Sequence, residues 1–174
     1  MTQCLLQPAT RAIDHHRVAE LANRIWYEHY PGIISRAQIE YMLATQYDMA
    51  TLERQQNAGT RFVLAWIDDT AVGFAGVSPD AQTRRCAWLD KLYILAAYRG
   101  QGIGRRLIDW AAHTAAELDA TMLYLRVNRH NAASVAMYQH AGFDIEREDV
   151  KSIGHGFVMD DYIMRMPIPE DSSA

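Results

Sequence analysis

Apolar residues first fall into register at three- and four-residue steps after Asp14. Val18, Leu21, Ala22 and Ile25 then share one face of a helix that Pro31-Gly32 stops. Gln3 to Pro8 before it reads as a short edge strand. Ser35 can cap a second helix whose Ile39, Met42 and Leu43 face inward, and a third short helix runs from Asp48 to Gln56. The period then drops to two. Arg61 to Ile67 and Ala71 to Val77 are strands of one hairpin, turned at Asp68-Asp69, and Trp88 to Ile94 is a third long strand. The next helix follows a glycine-rich loop. Its inward stripe is Ile103, Leu107, Trp110, Ala111, Thr114 and Leu118. Thr121 to Val127 is a strand. Asn131 caps a short helix to about His140, with Gly142 at its end. Phe143 to Val150 and Phe157 to Met166 close the pattern as two strands. This order predicts a mixed α/β sheet with helices on both faces.

Composition narrows what such a domain does. The 174 residues are 49% hydrophobic and 22% charged, the profile of one folded domain, taken as residues 1–167 with a disordered tail at 168–174. A net charge of −4 argues against a nucleic-acid partner. No apolar run approaches the roughly 20 residues of a membrane span, and Met1 to Arg11 does not read as a signal peptide. Cys4 and Cys86 read as buried thiols in a reducing compartment, so a cytoplasmic location is expected. The seven histidines form no metal-binding pattern, and no metal is expected. His15, His16 and His113 read as solvated helix residues, and His155 as part of a turn.

The chemistry starts at Arg99-Gly100-Gln101-Gly102-Ile103-Gly104, between a strand and a helix. Such a loop leaves backbone N–H groups free at the positive end of the helix, which suits a phosphate or pyrophosphate. Arg99, Arg105 and Arg106 add positive charge there. The spacing fits neither the dinucleotide fingerprint G-x-G-x-x-G nor the nucleoside-triphosphate loop G-x-x-x-x-G-K-[ST].

It does fit a third pattern. Leu92-Tyr93-Ile94 leads into Arg99-x-x-Gly102-x-Gly104. Farther on, Asn131 opens a short helix, Tyr138 follows seven residues later, and then comes Gly142-Phe143. Together these resemble the two motifs of the Gcn5-related N-acetyltransferase family, strongly from Arg61 to Met166. The resemblance implies an acyl-CoA N-acyltransferase fold, with a mostly antiparallel sheet splayed between two parallel strands. It implies acetyl-CoA as co-substrate, held by Leu92, Tyr93, Ile94, Arg99, Gly100, Gln101, Gly102, Ile103, Gly104, Arg105, Asn131 and Tyr138. Tyr41 to Gln55 and Phe157 to Asp161 look like the bacterial polyamine acetyltransferase branch.

The implied reaction is direct attack of an amine on the thioester. It needs a polarised carbonyl, a neutral amine and a proton for the leaving thiolate. By resemblance, a backbone N–H within Leu92 to Ile94 serves the carbonyl, and Tyr138 is the acid. A phenol with an ordinary pKa of about 10 carries its proton at neutral pH. Asp90 is the expected base. Alternation puts it on one strand face with Leu92 and Ile94, opposite Lys91 and Tyr93, while Glu28 and His29 are alternatives. Trp26, Tyr27, Tyr30, Tyr41 and Tyr47 are available to line an amine slot, where aromatic faces attract an ammonium. Trp26, Tyr27, Glu28 and Tyr30 are the substrate-binding candidates. The expected acceptor is a small primary amine, with a polyamine favoured. A protein N-terminus, an antibiotic amine and a non-catalytic acyl-CoA sensor stand as alternatives. Pairing of the last strands between subunits would admit a homodimer.

Overall fold

A computed structural model describes residues 3–170. The elements run β1 (Cys4–Pro8), α1 (Ala12–His29), α2 (Arg36–Gln46), α3 (Met49–Asn57), β2 (Arg61–Ile67), β3 (Thr70–Pro79), β4 (Cys86–Ile94), α4 (Ile103–Glu117), β5 (Met122–Asn128), α5 (Ala132–His140), β6 (Asp144–Gly154) and β7 (Phe157–Pro167). Three of the helices begin at a side-chain cap. Ser35 Oγ accepts the Gln38 amide, Asp48 accepts that of Thr51, and Asn131 accepts that of Ser134.

The strands form one seven-stranded sheet in the order β1-β2-β3-β4-β5-β7-β6. Every neighbouring pair is antiparallel except β4 and β5. Alternation along β2 divides the core in two. Phe62 and Leu64 face α1–α3, where they pack with Ile25 and Leu52. Val63 and Ala65 face the other side, where they join a core built on Ile103, Leu107 and Leu123. The acceptor-side helices and the glycine-loop helix therefore lie on opposite faces of the same strands.

Three expectations change. His15 is buried rather than solvated. Its Nε2 lies 2.5 Å from Gln56 Oε1 and its ring meets Phe62 edge-on, a pairing of α1 with α3 that no local pattern announces. Cys4 is buried, but Cys86 is only half-buried. Order continues past Pro167: Ile168 is in the core and its N–H donates to Thr121 O at 2.9 Å, while Glu170 pairs with Arg85. Residues 171–174 of the expected tail lie outside the described residues. Among the described residues, no helix is long and apolar enough to cross a membrane.

Candidate active site

β4 and β5 stay paired only from Cys86–Met122 to Leu89–Leu125. Beyond that point they part, and the polar edges facing the gap lose their sheet partners. A cavity of about 820 Å³ opens there. Leu92, Tyr93 and Ile94 line it from β4, Val127 and Asn128 from β5, and Asn131 and Tyr138 from α5. It continues to α1 and α2, so one space reaches both faces of the sheet.

The glycine loop forms one rim. Gly100 and Gly102 have φ of +74° and +82°, a left-handed conformation that disfavours any side chain. The first bond of α4 runs from Arg106 N to Gly102 O, so the amides of Ile103, Gly104 and Arg105 stand ahead of the helical ladder as donors. Gly104 packs closely: a Cβ there would sit 3.2 Å from Met137 Sδ and 3.5 Å from Ile94 Cδ1. The donors, the dipole and the free β4 edge together fit a cofactor with a pyrophosphate and a peptide-like arm.

The arginines and several loop side chains are otherwise engaged. Arg99 Nε donates to Ile94 O at 3.1 Å, and its Nη1 lies 3.4 Å from His29 Nδ1. Arg105 pairs with Asp109, and Arg106 ties α4 to the Cys4 carbonyl. Of the expected collar of three, only Arg99 lines the cavity together with Gly100 and Gly104. Gln101 turns to Ala97 O, and Ile103 is a core residue. Any part that Gly102 and Ile103 have in holding a cofactor would fall to their backbone.

Asp90 stands where alternation does not put it. Val77 pairs with Leu89 and Gly76 with Lys91, so Asp90 is the extra residue of a bulge. Leu89 and Leu92 both pack on the α4 side. Asp90 instead joins Lys91 on the α1–α3 face, where its Oδ2 accepts Ser78 Oγ at 2.5 Å. Its side chain is open to solvent in the cavity, yet the protein packed around it pushes its carboxyl pKa up by desolvation, while the Ser78 bond and the Lys91 charge oppose the rise. The Lys91 ammonium lies 4.7 Å from the Tyr47 ring centre. Burial lowers its pKa and Asp90 supports its charge.

Above Asp90 lies an aromatic floor. Tyr30 and Tyr93 join hydroxyls at 3.0 Å, and Trp26 packs on Tyr30 at 4.3 Å and on Tyr47 at 5.8 Å. Burial pushes the Tyr30 phenol up to about 12 and raises those of Tyr47, Tyr93 and Tyr138 as well. All four therefore keep their protons at neutral pH. His29 also lines the cavity. Burial first, and then Arg99, lower its pKa, so its imidazole is neutral there. Tyr27 and Glu28 do not share this floor. Tyr27 lies under the Arg36 guanidinium and Glu28 pairs with Arg24, both on the outer side of α1.

The far end is closed by the β6–β7 hairpin. Tyr41 Oη donates to Ile153 O at 2.6 Å, and Gln38 Nε2 donates to Val158 O at 2.9 Å. Tyr41 also packs on His155 and Phe157. On β7 beneath this clasp sits Asp161, which sequence reasoning did not single out as a site residue. It is only 3% exposed, lines the cavity, and its Oδ2 has no hydrogen-bond partner. Burial pushes its pKa up to about 6. Arg126 opposes this, and Asp149 and Asp160 add to it. The signal that could have found it is an acidic pair, Asp160-Asp161, inside a strand. Among the described residues, no group of three or more His, Cys, Asp or Glu could hold a metal ion.

Known proteins share this architecture. The profile of the Acetyltransferase (GNAT) family matches residues 16–143. The PaiA N-acetyltransferase of Thermoplasma acidophilum, solved in complex with coenzyme A, superposes with a TM-score of 0.80 at 25% identity, over 95% of this chain and 99% of that one. Streptothricin acetyltransferase of Streptomyces lavendulae is 37% identical over 82 residues, 47% of this chain and 43% of the relative. Spermine/spermidine N(1)-acetyltransferase of Bacillus subtilis (strain 168) is 31% identical over 62 residues, 35% of this chain and 41% of the relative. The match thus spans less than half the length of these two curated relatives.

Proposed function

The chain belongs to the GNAT acetyltransferase family, and from that premise we propose that it transfers acetyl from acetyl-CoA to a primary amine of a small polyamine-like molecule, by direct attack in a ternary complex. The observation that carries the reading is the parting of β4 and β5 after Leu89–Leu125, which opens one cavity to both a glycine-loop helix and an aromatic, acid-bearing floor.

Acetyl-CoA supplies an acyl group activated as a thioester. The free edge of β4 at Leu92 to Ile94 would hold the arm in strand fashion and direct an N–H at the thioester oxygen. The amides of Ile103, Gly104 and Arg105 would receive the pyrophosphate. Tyr138 lines the same cavity, and its raised pKa keeps the phenol protonated, so it can donate to the departing thiolate. Asp90 would take the proton from the acceptor ammonium. Its raised pKa brings the carboxyl closer to neutral pH, which improves a carboxylate as a base. Trp26 and Tyr30 would present ring faces to the cationic acceptor.

No cysteine lines the cavity, which favours direct transfer over an acyl-enzyme route. The polyamine reading is supported by the Bacillus relative and by Asp161, a cavity acid that no basic side chain pairs among the described residues. The Streptomyces relative supports a second reading, an antibiotic amine. The test is thiol release from acetyl-CoA against spermidine, spermine, several amino acids, streptothricin and short peptides. A rate far above hydrolysis is expected with spermidine or spermine. Release with streptothricin alone would select the second reading, and release with none would overturn both.

A further inference from the structure

Asp161 is an oddity in physical terms. A carboxylate this buried normally has a cation or several donors. Here no basic group lies within salt-bridge distance among the described residues, and Oδ2 is bare. Arg126 is already committed to Asp149, and Lys91 and Lys151, which line the same cavity, make no salt bridge to Asp161. Asp160, next in sequence, is held by Arg129 at 2.8 Å. Tyr30 faces Asp161 from α1 and is a neutral phenol. Asp161 is therefore an acid that faces the cavity with no ion-pair partner of its own among the described residues.

Its place in the sheet gives the spacing. Asp161 pairs with Asn128 of β5. Asp90 stands on β4, just past the point where β4 leaves β5. With β5 between them, the two acids are two strand spacings apart, about 10 Å across the sheet at the ordinary interval, and both their offset along the strands and the parting of the strands widen this. One cavity holds both.

We propose that Asp161 is the subsite for a second ammonium of the acceptor, so that the enzyme selects amines with two or more cationic nitrogens, one held at each side of β5. This rests on the acetyl-transfer reading and deepens it. The bound ammonium would supply the missing partner of Asp161. A monoamine would leave that carboxylate bare, at the cost of an unpaired buried charge.

The test compares spermidine with butylamine as acceptors in the wild type, Asp161→Asn and Asp161→Glu. Expected in the wild type is a kcat/KM for spermidine at least tenfold above that for butylamine. Asp161→Asn should lower the spermidine value ten- to a hundredfold, mainly through KM. It should leave butylamine within about threefold and the acetyl-CoA dissociation constant unchanged. Asp161→Glu, which keeps the charge, should recover part of the preference. Equal losses for both amines, or no change in the spermidine KM, would overturn the subsite while leaving acetyl transfer intact. A wild type that releases no thiol with any amine would overturn the transfer reading and the subsite with it, before any variant is compared.

Discussion

The hydroxyls of Tyr30 and Tyr93 meet at 3.0 Å, joining the end of α1 to the strand that flanks the gap. The bond fixes the acceptor floor against the β4 edge, because Tyr93 lies within the stretch that loses β5 as its neighbour. Replacing Tyr30 by Phe leaves a buried phenol on Tyr93 without its partner, a loss of about 1–3 kcal/mol. The expected result is a melting temperature lower by several degrees and a raised KM for the amine, with acetyl-CoA affinity unchanged. Calorimetry and two-substrate kinetics check it.

Tyr138→Phe removes the proposed acid without removing the ring that packs edge-on against Phe143. The expected loss in kcat is about 10²-fold, with acetyl-CoA binding intact. Because burial raises the Tyr138 phenol, the wild-type rate should not fall between pH 8 and 10 on its account. An alkaline limb in that range that vanishes in the Phe variant would contradict the raised pKa, and a Phe variant that keeps the full rate would contradict the acid role.

Gly102→Ala puts a Cβ on a residue with φ of +82°. Space is open there, so the penalty is conformational, about 1–2 kcal/mol. The loop should relax away from the geometry that presents the α4 amides. Titration calorimetry should show acetyl-CoA binding weakened about tenfold, with a melting temperature lower by only a few degrees.

Asp161 also predicts a stability profile. Its folded pKa of about 6 lies above the ordinary 3.8 of an unfolded Asp. Between these values the folded state binds more protons, so stability falls as pH rises through the window. The penalty is absent below about 4 and complete above about 6, worth about 1–3 kcal/mol once water in the cavity is allowed for. Asp161→Asn should therefore melt several degrees higher than the wild type at pH 8, with the gap closing toward pH 4. A variant less stable at pH 8 would contradict an uncompensated charge.

Much of this was legible because local rules and the final packing agree. The stripe of Val18, Leu21, Ala22 and Ile25 is the buried face of α1, and Gly102 starts α4 as the loop spacing implies. Grouping Trp26, Tyr27, Glu28 and Tyr30 as candidates runs against that same helical phase, since residues four apart keep a face and residues one or two apart leave it, and only Trp26 and Tyr30 of the four line the cavity. The bulge at Asp90 was hidden because perfect alternation was assumed through it. His15 and Asp161 were hidden for another reason. Their surroundings come from distant chain, Gln56 in one case and Tyr30 and the Arg126–Asp149 pair in the other. Burial of a polar group is a tertiary fact, and no pattern of spacing carries it.

The central claim is transfer without an acyl-enzyme. The most direct measurement is thiol release from acetyl-CoA in rapid mixing, with and without spermidine, alongside quantitation of acetylated amine. The account predicts no burst of thiol without amine, and one acetylated amine for each thiol with it. A stoichiometric burst in the absence of amine, or thiol release that leaves the amine unmodified, would contradict it.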